Sequence, residues 1–185
     1  MTSEQPIEHS AAPHAAADPI VCPAVSGKEL FSNFVQLGII VRDLDRTVKV
    51  LSEVFGMGQW RYVAYPPAGR DDIELTYRGE EGHFSHRIAF TNLGPIELEI
   101  IEPTTGPSGI TEFVAEHGEG IHHIRFNVPD LEPVMAHLAA HGVETLMSGS
   151  GIRPGTRWVH LDTEEKIGFI VEIMNALPGT SGRTP

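Results

Sequence analysis

From residue 35 the chain reads VQLGIIVRDLDRTVKVL. Leu37, Ile39 and Val41 alternate with Gln36, Gly38 and Ile40, the two-residue period of a strand with one face against a core. Beyond Asp43 the apolar positions take helical spacing, and the whole pattern returns in HHIRFNVPDLEPVMAHL at 122–138. The offset is 87: Val41 matches Val128, Asp43 matches Asp130, Leu44 matches Leu131 and Leu51 matches Leu138. An internal repeat of this kind predicts one supersecondary unit used twice. Asp43 and Asp130 stand where an N-cap carboxylate would accept bonds from the first turn's free N–H groups. The first helix is expected to end near Phe55 and Gly56, the second at His141 and Gly142.

A second pair of segments matches at an offset of 73: IELEII at 96–101 and FIVEIM at 169–174, with Glu99 opposite Glu172. The smaller offset places 14 extra residues in the first copy, and YPPAGRDDIELTYRGEEGHF is their natural location. Each copy reads β-α-β-β-β. The first has strands at 34–42, about 59–65, 86–92 and 96–102 and a helix at 45–55; the later strands of the second fall near 143–147, 156–161 and 168–174. The predicted class is α+β: two tandem βαβββ modules, about 34–104 and 119–176, whose curved mixed sheets form a metal-binding cleft. They make a single domain over 31–178. Residues 1–30, rich in Ala, Pro, Ser and His, read as a flexible tail in which His9 and His14 are scattered, and 179–185 as a disordered end.

Composition narrows the function. Of 185 residues, 41% are apolar, enough for a core, and the net charge of −12 argues against nucleic acid and anionic membrane surfaces as partners. No apolar run reaches the length of a membrane span. One cysteine, Cys22, excludes an intramolecular disulfide framework and a cysteine zinc cluster. The start, MTSEQPIEHS, lacks a basic n-region and an apolar h-region. These features fit a cytoplasmic protein.

The chemistry lies on the face away from the helices. There the repeat pairs Gln36 with His123 and Glu99 with Glu172, and a pseudo-two-fold axis would gather all four at the floor of one cleft. Glu172 sits in the apolar strand GFIVEIM, where a carboxylate is costly unless paired or bound to metal. Two carboxylates, an amide oxygen and an imidazole suit one divalent ion, Zn²⁺, Ni²⁺, Co²⁺ or Mn²⁺. Of the adjacent histidines in GIHHIRFNV, the repeat selects His123; His122 is expected on the helix side or strand edge.

At these residues the sequence resembles the vicinal oxygen chelate superfamily, which includes glyoxalase I, methylmalonyl-CoA epimerase, extradiol dioxygenases and bleomycin-resistance proteins. The pieces, spread over roughly 34–176, are VQLGIIVRDLDRT, NLGPIELEIIEP, GEGIHHIRFNVPDLE and GFIVEIM. NLG…EIIEP followed by GIHHI is most similar to the epimerase branch. The family's metal positions fall on Gln36, Glu99, His123 and Glu172, a set also found in glyoxalase I, although epimerases usually carry His at the first position. Ile40 stands where glyoxalase I has its basic residue for glutathione.

The resemblance implies an isomerase, epimerase or lyase that abstracts a proton alpha to a carbonyl and stabilises the enolate with the metal. Glu172 or Glu99 would be the catalytic base, with Glu97 a poorer one. Arg125, His86 and Arg87 would bind substrate, and the insert at 66–84 would form a lid. A small carbonyl compound, an acyl-CoA among the candidates, and a homodimer fit the same reading. A glyoxalase I-like lyase, an Fe(II) ring-cleaving dioxygenase and a non-catalytic binding protein are the alternatives. Iron fits less well because that chemistry normally uses two histidines and one carboxylate.

Overall fold

The computed structural model describes residues 30, 31 and 33–175. The tails assigned to 1–30 and 179–185, with His9, His14 and Cys22, lie outside the described residues apart from Leu30. The elements run β1 (Phe34–Ile40), α1 (Leu44–Glu53), β2 (Arg61–Tyr65), β3 (Leu75–Tyr77), β4 (Glu80–Glu81), β5 (Ser85–Leu93), β6 (Ile96–Thr105), α2 (Gly109–Glu116), β7 (Gly120–Val128), α3 (Leu131–Ala140), β8 (Thr145–Ser150), β9 (Arg157–Leu161), α4 (Glu164–Ile167) and β10 (Ile170–Asn175). Both aspartates cap as the sequence predicts: Asp43 accepts from Arg46 N at 2.9 Å and Asp130 from Glu132 N at 3.2 Å.

The strands form one curled mixed sheet, ordered β2-β5-β6-β1-β7-β10-β9-β8-β3-β4. The α+β arrangement of two βαβββ modules is therefore present. β2-β5-β6-β1 is mirrored by β8-β9-β10-β7, and the halves meet where β1 runs antiparallel to β7. The register repeats as well. Gln36 lies beside Glu97 and Gly38 beside Glu99; the two offsets carry these pairs onto His123 beside Ile170 and Arg125 beside Glu172, as observed.

Helices α1 and α3 each cover the convex face of their own module. Leu44 and Val48 of α1 bury against Ala89, Leu98 and Ile100; Leu131 and Val134 of α3 bury against Val159, Leu161 and Ile173. Full burial of one such side chain contributes about 2 kcal/mol. A third cluster, with Ile40, Phe90, Ile101, Met147 and Ile170, lies on the concave side.

The insert does not form the expected lid. Its hairpin, β3–β4, crosses to the second module and adds to the edge of β8, pairing Thr76 with Ser148 and Tyr77 with Met147. Leu75 and Tyr77 pack onto the concave cluster. Tyr77 bonds Glu112 of α2, and Arg78 holds the same carboxylate at 2.6 Å. Ladder bonds and half-buried apolar side chains fix this segment to the second module.

Candidate metal centre

The concave face holds a cavity of about 410 Å³, lined by apolar residues such as Ile88, Phe90 and Met147 and by polar ones such as Glu99, Arg125 and Glu172. His123 of β7 is wholly buried beside Glu99 and Glu172. The ring lies over Gly38 of the neighbouring strand, where a Cβ would stand 1.9 Å from its Cε1. Its Nε2 is 3.2 Å from Glu99 Oε2 and 3.1 Å from Glu172 Oε2. Nε2 meets hydrogen-bond geometry with neither oxygen, so three donor atoms face a shared point instead of pairing. Gln36 is also fully buried. Its Nε2 donates to Glu97 at 2.7 Å, and its Oε1 is buried without a partner. Two carboxylates, an imidazole nitrogen and an unused amide oxygen fit a divalent ion.

The electrostatics agree with this grouping. Burial works against charge on His123, but the Glu172 and Glu99 carboxylates beside it outweigh burial and lift its pKa to about 9. Burial pushes the Glu172 carboxyl up; His123, His160 and Arg125 more than offset it and hold the group well below the usual carboxylate range.

His122 departs from the expected orientation. The β1–β7 register slips between Gly38 and Ile39, so His122 is the extra residue of a bulge, and it is buried instead of facing the helix side or edge. Its Nδ1 lies 3.0 Å from Nδ1 of His123. With His123 Nδ1–H donating to His122 Nδ1, this contact would leave His123 Nε2 free to bind metal, a common second contact for ligating histidines. His160 was missed by the sequence reading. It is buried on β9, directly opposite Glu172, with Nε2 3.7 Å from Glu172 Oε2. The alternation in RWVHL, with Val159 and Leu161 toward the helix, could have placed it on the concave face.

Arg125 lines the cavity. Its Nη2 is 3.4 Å from Glu97, which Arg61 also approaches at 3.6 Å, and its Nε is buried without a partner. His86 lines the cavity too, its ring stacked on Phe84 and both nitrogens unpartnered. Arg87 does not join it. Adjacent strand residues point to opposite faces, and Arg87 is held on the convex side by Asp45 at 2.8 Å and Glu102 at 3.0 Å.

Burial, aided by His160, pushes His86 down to about 4. Against an unfolded value near 6.5, the folded state excludes a proton that the unfolded state binds. The stability associated with neutral His86 is therefore present above pH 6.5 and lost as pH falls toward 4, amounting to about 3 kcal/mol. In His86→Phe, urea midpoints should fall less between pH 7 and pH 4 than in wild type.

Residues 35–159 match the Glyoxalase/Bleomycin resistance protein/Dioxygenase superfamily, and the chain belongs to it. The family resemblance carried by the motifs is thus borne out. Among solved structures, a hypothetical protein of Bacillus halodurans C-125 is similar at 21% identity and TM-score 0.60, covering 83% of this chain and 97% of that one. Methylmalonyl-CoA epimerase of Streptomyces coelicolor, in complex with 2-nitronate-propionyl-CoA, is similar at 24% identity and TM-score 0.55, over 79% and 98%. The epimerase of Mycobacterium tuberculosis gives 20% identity and TM-score 0.57, over 82% and 93%. At these identities the likeness is one of fold. YqjC of Bacillus subtilis (strain 168) is 44% identical over 39 residues, 21% of this chain and 28% of that protein, so the match spans under a third of the relative's length. Among the described residues no helix is long and apolar enough to cross a membrane.

Proposed function

We propose that this protein is a divalent-metal-dependent isomerase, epimerase or lyase that removes a proton from the carbon next to a carbonyl. The observation that carries this reading is His123 Nε2 set between Glu99 and Glu172 without bonding geometry to either, where both carboxylates line a cavity large enough for a small molecule. Glu99, Glu172, His123 and Gln36 would hold the ion. When bound, the ion supplies Lewis acidity to a substrate carbonyl as the neighbouring C–H loses its proton.

The chain's own groups divide the remaining work. Glu99 is assigned as the base, which would act by loosening from the ion, because among the described residues His123 is its one ion-pair partner. Glu172 faces both His123 and His160, and its depressed pKa leaves it a weak proton acceptor. Arg125 offers an unpartnered buried N–H to an anionic substrate end, and His86 offers a neutral ring nitrogen to a polar one. Ile88, Phe90 and Met147 make part of the lining apolar and would limit water at the reacting carbon. An acyl-CoA is the first substrate class to test, since the fold is shared with methylmalonyl-CoA epimerases.

Metal analysis after chelator-free dialysis tests the reading. Wild type should retain about one divalent ion per chain, and a His123→Ala, Glu172→Ala double variant should retain none. The loaded protein should then exchange a substrate C–H for deuterium with an acyl-CoA or a 2-oxoaldehyde. Failure of wild type to take up Zn²⁺, Ni²⁺, Co²⁺ or Mn²⁺ would overturn it.

A further inference from the structure

Resting on that reading, we infer that His160 is a direct ligand of the same ion, giving the centre a second imidazole that the repeat does not supply. The repeat-equivalent position, opposite Glu99 on β5, is Phe90, so the second module alone offers a donor here. His160 faces Glu172 across the β9–β10 ladder and shares the concave face with it. It is almost wholly buried, and its Nδ1 has no hydrogen-bond partner.

Distances decide between coordination and mere proximity. Donors bound at about 2.0–2.2 Å and disposed at tetrahedral or cis-octahedral angles lie about 2.9–3.5 Å from one another. Glu99 and Glu172 stand 3.2 and 3.1 Å from His123 Nε2, inside that window. His160 Nε2 stands 3.7 Å from Glu172 Oε2, too long for a hydrogen bond and only slightly outside the same window. The rings of His123 and His160 are 4.7 Å apart, and Trp158 packs on His160 from behind at 5.2 Å, so a small rotation of a supported ring completes the contact. The alternative, His160 steadying Glu172 from outside the ligand shell, would close the same 3.7 Å gap with a hydrogen bond and leave one ligating imidazole in place of two. Two imidazoles beside two carboxylates also shift the metal preference away from Mn²⁺ toward Fe²⁺, Co²⁺, Ni²⁺ and Zn²⁺.

Proton NMR of the protein loaded with one equivalent of Co²⁺ counts the ligating imidazoles directly, because each shows one strongly shifted, solvent-exchangeable ring N–H signal. Wild type should show two, His160→Gln should lose one, and His122→Gln should lose neither. If His160→Gln does not fold, a nuclear Overhauser contact from the second wild-type signal to the Trp158 indole makes the same assignment. A single signal, or a second signal removed by His122→Gln in place of His160→Gln, overturns the inference while leaving the metal centre intact. No bound Co²⁺ at all overturns both.

Discussion

Gly38→Ala should abolish metal retention and destabilise the fold together. The Cβ would stand 1.9 Å from His123 Cε1, 2.3 Å from Nε2 and 2.4 Å from Nδ1, so it would occupy the middle of the imidazole and not just its rim. The ring cannot swing aside freely, because the imidazole is wholly buried against Glu99, Glu172, His122 and His160. Overpacking of a buried site costs about 1–3 kcal/mol, and displacement of the ring also leaves two buried carboxylates without their shared cation. Wild type should hold one ion per chain after dialysis and Gly38→Ala none, with a lower urea midpoint. An alanine variant that bound metal as wild type does would show that His123 is not held over Gly38.

Metal affinity should rise about tenfold per pH unit between pH 6 and pH 8, and level off near pH 9. Free of metal, His123 has its pKa lifted to about 9 and is protonated at neutral pH; a ligating imidazole must be neutral, so binding expels that proton. Competition against a chromophoric chelator at pH 6, 7 and 8 measures the slope. Titration calorimetry in two buffers of different ionisation enthalpy should show about one proton released per ion at pH 7. Stability moves the other way in the metal-free protein. A group with a raised folded pKa stabilises the fold below its unfolded value near 6.5 and loses that contribution as pH rises through 9. The metal-free protein should therefore weaken over that window, while the loaded protein should not.

Much of this centre was visible in the sequence because repetition reports on long-range structure. Gln36 with His123, and Glu99 with Glu172, could be paired without knowing any distance, since each module repeats the other's register. Two of the departures depend on contacts between distant segments. The bulge that turns His122 inward arises in the β1–β7 pairing, and the destination of β3–β4 is fixed by β8, some 70 residues along the chain. Pairing partners of this kind leave little trace in local pattern. The other two were within reach of simple alternation. His86 and Arg87 are neighbours on one strand and could not both face the cavity, and His160 follows from the pattern of RWVHL. His160 escaped notice because Phe90, its counterpart, carries no chemistry.

The crossing hairpin ties together the two ends of an otherwise open sheet. Residues 66–74 lead from β2 to β3, and β3 is paired with β8 at the opposite end of the strand order. Tyr65 of β2 spans the same gap, donating to the Ser150 carbonyl at 2.6 Å and accepting from Trp158 at 3.0 Å. A clamshell opening of one half against the other would have to shear a β-ladder and pull out these buried bonds. The ladder and these bonds set the width of the cavity, so under the proposed function discrimination among substrates would come from a preset aperture.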